Sequence, residues 1–152
     1  MAFRMSTKLF NDFLTTMKTD LANGVIFFYT GAQPTSPDAA VSGTLIARAS
    51  LSGGAWTAGT STNGINFGTV ASASVDKATA EEWKFVCTTA GTIGWGRFVG
   101  NPVDAGGAST TLPRIDFSVG ITSGDCTMSK VTYAVGETGV LQNFIVPLSN
   151  AQ

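Results

Sequence analysis

The chain begins with apolar residues that repeat every three or four positions. This spacing places them along one stripe of an α-helix. Ser6 is a suitable N-cap, and Asn23-Gly24 predicts the end of the helix, with Gly24 in the left-handed conformation. We therefore predict a helix over 6–22, whose stripe must be covered by the sheet of its own domain or by a neighbouring subunit. The stripe consists of Leu9, Phe10, Phe13, Leu14, Met17 and Leu21.

After Gly24 the apolar pattern changes to short runs that are typical of β-strands. Residues 25–29 form a β-branched and aromatic run. Residues 81–87 alternate between apolar and polar, which places Trp83, Phe85 and Cys87 on one face of a strand. Each run is short enough to be a single strand of a larger sheet.

The second half of the chain carries further strand patterns. In residues 92–99, Ile93 is predicted to share a face with Trp95 and Val99. The apolar positions of residues 126–135 change parity, which predicts one strand with a bulge near 129–130. Other predicted strands lie at 43–49, 114–119 and, as the final strand, 140–146.

About seven to nine short strands, spaced by roughly 8–12 residues and not separated by helices, indicate an all-β architecture. The sequence therefore predicts a mainly β fold, an antiparallel β-sandwich or jelly-roll with one N-terminal α-helix. We expect a single domain over 1–152, with the β-sandwich over 25–147.

The composition bears on which functions the chain can have. The 152 residues include no histidine, and nine Lys and Arg stand against ten Asp and Glu, so only 12% of the residues are charged. Without histidine the common Ser-His and Cys-His nucleophile pairs are excluded, so we do not expect an enzyme. The chain has no basic run for nucleic acid and no apolar segment long enough to cross a membrane. Because soluble domains average roughly 25% charged residues, we expect much of this surface to be covered by partners.

The acidic residues and cysteines do not form a motif for catalysis or metal binding. Neighbouring Glu81 and Glu82 point to opposite faces of a strand, and we expect the carboxylates at 104, 116 and 125 to be solvated. The sequence therefore predicts no catalytic residue, no cofactor and no metal ligand. Cys87 and Cys126 are either reduced, buried apolar groups or a disulfide between neighbouring strands.

The aromatic residues allow several roles. Trp83 and Trp95 lie in predicted strands with apolar partners, so we expect both in the core. Trp56 lies in a stretch rich in glycine, serine and threonine, where a core, interface or ligand-binding role is open. Together with Tyr29 and Tyr133, the tryptophans could also form a platform for sugar rings.

One part of the sequence resembles a known family. Residues 5–51 contain Met5-Ser6-Thr7-Lys8-Leu9-Phe10-Asn11, then Asn23-Gly24-Val25, then Tyr29-Thr30-Gly31-Ala32-Gln33-Pro34, and finally Gly43-Thr44-Leu45. This third of the chain is similar to small structural proteins of tailed-bacteriophage particles, and the Tyr-x-Gly-x-Gln-Pro segment is its most specific part. In residues 52–152 the resemblance is limited to the general pattern of short β-type runs separated by glycine and small polar residues.

The resemblance implies a virion structural protein, foremost a capsid cement or decoration protein on the capsid exterior. The alternative that it implies is a tail, collar or fibre component, to which a glycan-binding role could belong. The expected partners are the major capsid protein and further copies of the chain, as a dimer or trimer made in the host cytoplasm. We expect neither nucleic acid nor membrane as a partner. The predicted interface residues are Leu9, Phe10, Phe13, Tyr29, Gln33, Pro34 and Trp56.

Overall fold

The computed structural model describes residues 4–150 of the chain. These residues form one helix and twelve strands, so the prediction of a mainly β protein with one N-terminal helix is confirmed. Helix α1 spans Thr7–Asp20. The strands are β1 (Val25–Tyr29), β2 (Leu45–Leu51), β3 (Phe67–Ala71), β4 (Ser74–Lys77), β5 (Trp83–Cys87), β6 (Gly91–Thr92), β7 (Trp95–Val99), β8 (Arg114–Gly120), β9 (Cys126–Thr127), β10 (Thr132–Tyr133), β11 (Thr138–Leu141) and β12 (Ile145–Pro147).

Helix α1 begins as the sequence predicts and ends differently. The Ser6 hydroxyl accepts a hydrogen bond from the Leu9 N–H at 3.3 Å, which is the predicted N-cap. The prediction that Gly24 is left-handed is wrong, because Asn23 takes that conformation with a φ of 55°. Gly24 is needed for a different reason, since a Cβ there would overlap the carbonyl oxygen of Val99. The helix packs on β3 and β4, so its own chain covers part of the apolar stripe.

The strands form three sheets, the largest of which is antiparallel apart from one pair. Its order is β11-β5-β2-β1-β7-β8-β9, and the parallel pair is β8 with β9. β12, β4 and β3 form a second sheet, and β10 pairs with β6 in the third. The largest sheet therefore provides the framework on which the other elements lie.

The large sheet has two faces of different composition. Side chains alternate along β1, so Ile26 and Phe28 lie on one face and Val25, Phe27 and Tyr29 on the other. Ile26 and Phe28 belong to the main hydrophobic cluster. We call their side of the sheet the core face and the opposite side the outer face.

An aromatic cluster fills the core face. Trp83 is fully buried, and its ring lies edge-on to Phe67 and Phe98 with centroid distances of 5.7 and 5.6 Å. Phe144 packs on Phe117 at a centroid distance of 4.8 Å. Because Phe67 belongs to β3, the three-stranded sheet covers part of the core face. The predicted core position of Trp83 is confirmed.

Three predictions of continuous strands are wrong for one common reason. Residues 140–146 are divided between β11, which pairs with β5, and β12, which pairs with β4 in another sheet. Residues 126–135 likewise contain β9 and β10, which lie in different sheets. Residues 92–99 are interrupted, so that Ile93 joins the core cluster while Trp95, though fully buried, lies on the outer face. In each segment the chain passes from one sheet to another. The alternation of apolar and polar residues does not reveal such a change of sheet.

Both cysteines are free and buried, in agreement with the reduced alternative. Burial raises the pKa of the Cys126 thiol to about 11, so this thiol is protonated at neutral pH. Within residues 4–150, no helix combines the length and the apolar character that crossing a membrane requires.

Candidate functional site

Three loops frame the outer face of the large sheet. They join β1 to β2 (30–44), β2 to β3 (52–66) and β7 to β8 (100–113). The first reaches the sheet through the Ala39 carbonyl, which accepts a hydrogen bond from the Arg97 guanidinium at 3.1 Å. The rim of the outer face is therefore built from segments far apart in sequence.

The loops are also bonded to one another. The Val41 N–H donates to the Gly106 carbonyl at 2.8 Å, which joins the first loop to the third. The Gly59 N–H donates to the Asn101 carbonyl at 2.8 Å, which joins the second loop to the third. We therefore expect the rim to keep its shape as a unit.

A buried ion pair lies beneath this rim. Arg97 on β7 is directly opposite Asp116 on β8, and its Nε and Nη2 atoms donate to the two carboxylate oxygens at 2.7 Å each. The two side chains are 1% and 2% exposed, so the prediction that Asp116 is solvated is wrong. Burial alone would lower the pKa of Arg97, but the hydrogen bond and the charge of Asp116 raise it above its ordinary value.

A second buried ion pair connects β8 to the third loop. Arg114 donates through Nε and Nη2 to the carboxylate of Asp104 at 2.6 Å each, and the side chains are 2% and 3% exposed. Arg114 also donates to the carbonyl of Pro37 in the first loop at 3.2 Å. The predicted solvation of Asp104 is wrong too, whereas Asp125 is exposed as predicted. The two arginines hold two loops against the sheet.

The surroundings of Asp104 predict acid sensitivity. Burial alone would raise the pKa of this carboxyl, but hydrogen bonds from Arg114 and from the Gly106 N–H, together with the arginine charge, hold it below its ordinary value. Because the folded state binds this proton more weakly than the unfolded chain, the stabilisation is complete above the unfolded-state pKa of about 3.9 and is lost as the pH falls further. We expect the urea midpoint to fall between pH 4 and pH 2, and to fall less in Asp104→Asn, which is less stable than the wild type at neutral pH. Equal pH dependence in both proteins would contradict this explanation.

An aromatic stack lies next to the buried charges. Tyr29 and Trp95 are stacked with ring centroids 4.6 Å apart, and the Arg97 guanidinium lies 5.5 Å from the Trp95 ring. Burial raises the pKa of Tyr29 despite the opposing charge of Arg97, so the phenol is neutral at physiological pH. Trp95 is buried as expected, but under the loops of the outer face and not in the main core cluster.

An open groove remains on the outer face between the second loop and the sheet. Its volume is about 430 Å³, and it is lined by Phe27, Leu45, Arg48, Val86 and the small residues 53–55, among others. A neighbouring depression of about 180 Å³ shares Phe27 and Leu45. Leu45 is 39% exposed and Val86 is 41% exposed. We call this surface the outer-face groove.

Four of the predicted interface residues lie in or beneath the loops of this rim. Tyr29 is buried under it, whereas Gln33 and Pro34 lie in the first loop and Gln33 is exposed. Trp56 lies in the second loop, where its Nε1 donates to the Asn23 carbonyl at 2.9 Å and its ring packs edge-on to Phe27, with centroids 6.4 Å apart. Trp56 is thus half-buried beside Phe27, which lines the groove.

The other three predicted interface residues lie on helix α1. Leu9 and Phe13 are 39% and 49% exposed, whereas Phe10 is buried against its own chain. Leu9 and Phe13 are four residues apart and so lie on the same side of the helix. They form a second exposed apolar surface, on an element that packs against the small sheet.

A further depression, of about 450 Å³, is lined by residues that include Asp76, Glu81 and Glu82. The Glu81 carboxylate is already used, because it accepts hydrogen bonds from the Asn66 backbone and side chain and from Trp83 Nε1 at 2.8–3.0 Å. Among residues 4–150, no three His, Cys, Asp or Glu side chains are grouped so that they could hold a metal ion.

Comparison with protein-family models, with curated proteins and with solved structures gives no match to this chain.

Proposed function

We propose that the chain is a structural protein of a tailed-bacteriophage particle, namely a capsid cement protein that binds across capsid subunits from the outside. The resemblance of residues 5–51 supports this assignment. The structural observation that carries the proposal is the outer-face groove, in which Leu45 and Val86 are exposed. Buried ion pairs hold two of the three loops around it, and a backbone hydrogen bond joins the remaining loop to them. Such a surface is ready for contact with another protein.

The arrangement of charge supports the same function. Arg97, Asp116, Arg114 and Asp104 neutralise one another in the interior, which leaves the outer surface with few charges. A low surface charge reduces repulsion between many copies of one protein on a particle. Loops that are already ordered also lose little conformational entropy when they bind.

The oligomeric state and the type of β-sandwich are part of the same proposal. We propose that the chain acts as a dimer or trimer, because symmetric association would cover further apolar surface, including Leu9 and Phe13. An antiparallel β-sandwich of jelly-roll type is likewise proposed. The contribution of Phe67 from the small sheet to the core of the large one supports that description.

A binding experiment with purified particles tests the function. The protein is mixed with empty expanded capsids and, separately, with purified tails, and binding is followed by co-sedimentation and by capsid melting temperature. We expect saturable binding to capsids and a higher melting temperature. Binding to tails alone would replace the proposal with the tail, collar or fibre alternative, and binding to neither particle would contradict both.

Matched variants locate the contact surface. Leu45→Asp with Val86→Asp places two charges in the outer-face groove and should abolish capsid binding without unfolding the protein. Val135→Asp introduces a charge at a 65% exposed valine outside the rim and should bind like the wild type. Equal binding by the two variants would show that the groove is not the contact surface.

A further inference from the structure

We propose that the outer-face groove binds an extended peptide segment of a partner protein, one that combines apolar side chains with at least one carboxylate. The inference deepens the proposed function and rests on it, because it states the chemistry of the particle protein segment that the chain would cover. It follows from the shape, the apolar lining and the charge of the groove.

The shape of the groove suits an extended chain. The main depression and its smaller neighbour share Phe27 and Leu45, so together they cross strands β5, β2 and β1 and continue to β7. Residues 53–55 on one side are two glycines and an alanine, whose small size lets another backbone approach closely. The exposed side chains of Leu45 and Val86 offer apolar contacts to alternate side chains of such a segment.

The charge of the groove is uncompensated. Arg48 is opposite Val86 and Lys84 is opposite Ser50 in the pairing of β2 with β5, so both cations lie on the outer face of adjacent strands. Within residues 4–150, neither cation makes an ion pair or a side-chain hydrogen bond. By contrast, Lys8, Arg97, Arg114 and Lys130 each form an ion pair with a carboxylate.

The nearest acidic residue along β5 does not remove this charge. Glu82 lies just before β5, forms no ion pair with Lys84 and lines a different depression, beside Asp76 and Glu81. No acidic residue lines the main depression. A carboxylate from a partner would therefore meet the unpaired Arg48 in the groove and the unpaired Lys84 at its edge, where the Lys84 side chain lies beside Gly53.

A peptide fits these features better than other ligands. A phosphate-rich ligand such as nucleic acid would use the two cations but would leave the apolar floor uncovered. A purely apolar segment would leave Arg48 and Lys84 unpaired at a contact that excludes water, which is unfavourable. An extended segment with apolar residues and a carboxylate satisfies both parts of the surface.

The test is a selection of random short peptides displayed on a carrier, with the full-length protein as the bait. The same selection is run on Arg48→Ala/Lys84→Ala and on the control Lys8→Ala/Lys130→Ala, which removes the same charge from exposed cations elsewhere. Thermal unfolding of all three proteins verifies that they are folded. Sedimentation velocity at several concentrations measures self-association.

We expect the wild type to select peptides in which apolar residues flank Asp or Glu. Their affinity should fall roughly tenfold in the groove variant, remain unchanged in the control and weaken with added salt. Selection of no peptide, selection of peptides without acidic residues, or equal affinity in the two variants would overturn the inference. Self-association that the groove variant abolishes would overturn it too, since the occupant would then be a second copy of the chain.

Failure of this inference is distinguishable from failure of the proposed function. Capsid binding by a protein that selects no acidic peptide would leave the proposed function standing and remove the groove as a peptide site. Selection of acidic peptides by a protein that binds neither capsids nor tails would support the groove as a peptide site and contradict the proposed function.

Discussion

Asp116→Ala lowers the free energy of unfolding by about 3–5 kcal/mol, the expected loss when one member of a buried ion pair is removed. The substitution leaves the Arg97 guanidinium buried, with the Ala39 carbonyl as its remaining side-chain hydrogen-bond acceptor. The first loop is held to the sheet by the same guanidinium, so it should also become more susceptible to proteolysis. Urea denaturation at neutral pH measures the stability, and limited proteolysis measures the loop.

Two control variants separate the buried charge from a general effect of removing aspartate. Asp12→Ala, in the exposed pair with Lys8, should change stability by no more than about 0.5 kcal/mol. Arg97→Leu/Asp116→Leu removes both charges and should be more stable than Asp116→Ala, because no charge is then buried without a partner. A double variant less stable than the single one would show that the pair acts through more than its charge.

Trp83→Ala is the second substitution with a large expected effect, a loss of about 3–5 kcal/mol. The indole is fully buried among Phe67, Phe98 and Phe144, at centroid distances of 5.6–5.7 Å, and its removal leaves a cavity that these rings cannot fill by small shifts. It also removes the Nε1 hydrogen bond to Glu81. Denaturant midpoints and thermal unfolding measure the loss.

Trp56→Ala is the matched control for this substitution. Trp56 is half-buried, packs edge-on to Phe27 and donates one hydrogen bond to the Asn23 carbonyl, so its loss should cost about 1–2 kcal/mol. Because Trp56 packs on Phe27, which lines the outer-face groove, we expect this variant to fold and to bind capsids less tightly. Equal losses of unfolding free energy in the two variants would contradict the assignment of Trp83 to the core and of Trp56 to a half-buried loop position.

Local patterns predicted those features of the fold that depend on neighbouring residues. The N-cap of Ser6, the strand at Val25–Tyr29 and the inward side chains of β5 were all predictable, because capping and alternation act over a few residues. The need for a glycine at position 24 was not predictable in this way. It arises because a Cβ there would overlap the carbonyl oxygen of Val99, a residue distant in sequence. The strand predictions for 126–135 and 140–146 were wrong because each segment passes between sheets, which alternation alone does not reveal.

The candidate site was predictable only in part. The role of Trp56 was left open because it lies in a stretch rich in small residues, and in the structure its ring packs on Phe27, which lines the groove. Arg97 and Asp116 were missed, although a signal exists: each is a charge within a predicted strand, and the charges are opposite. Their pairing depends on the register of β7 against β8, which the two strand sequences alone do not fix.

Patterns within the sequence were sufficient to predict the mainly β class and the N-terminal helix, and the composition shows a chain without histidine and with few charges. The tertiary structure decided where those charges lie: two arginine–aspartate pairs are buried beneath the loops, whereas Arg48 and Lys84 stay unpaired on the outer face. The physical reason is that propensity and periodicity act between near neighbours. The burial of a charge, and whether it finds a partner, depends on strand register and on loops that come together only in the folded chain.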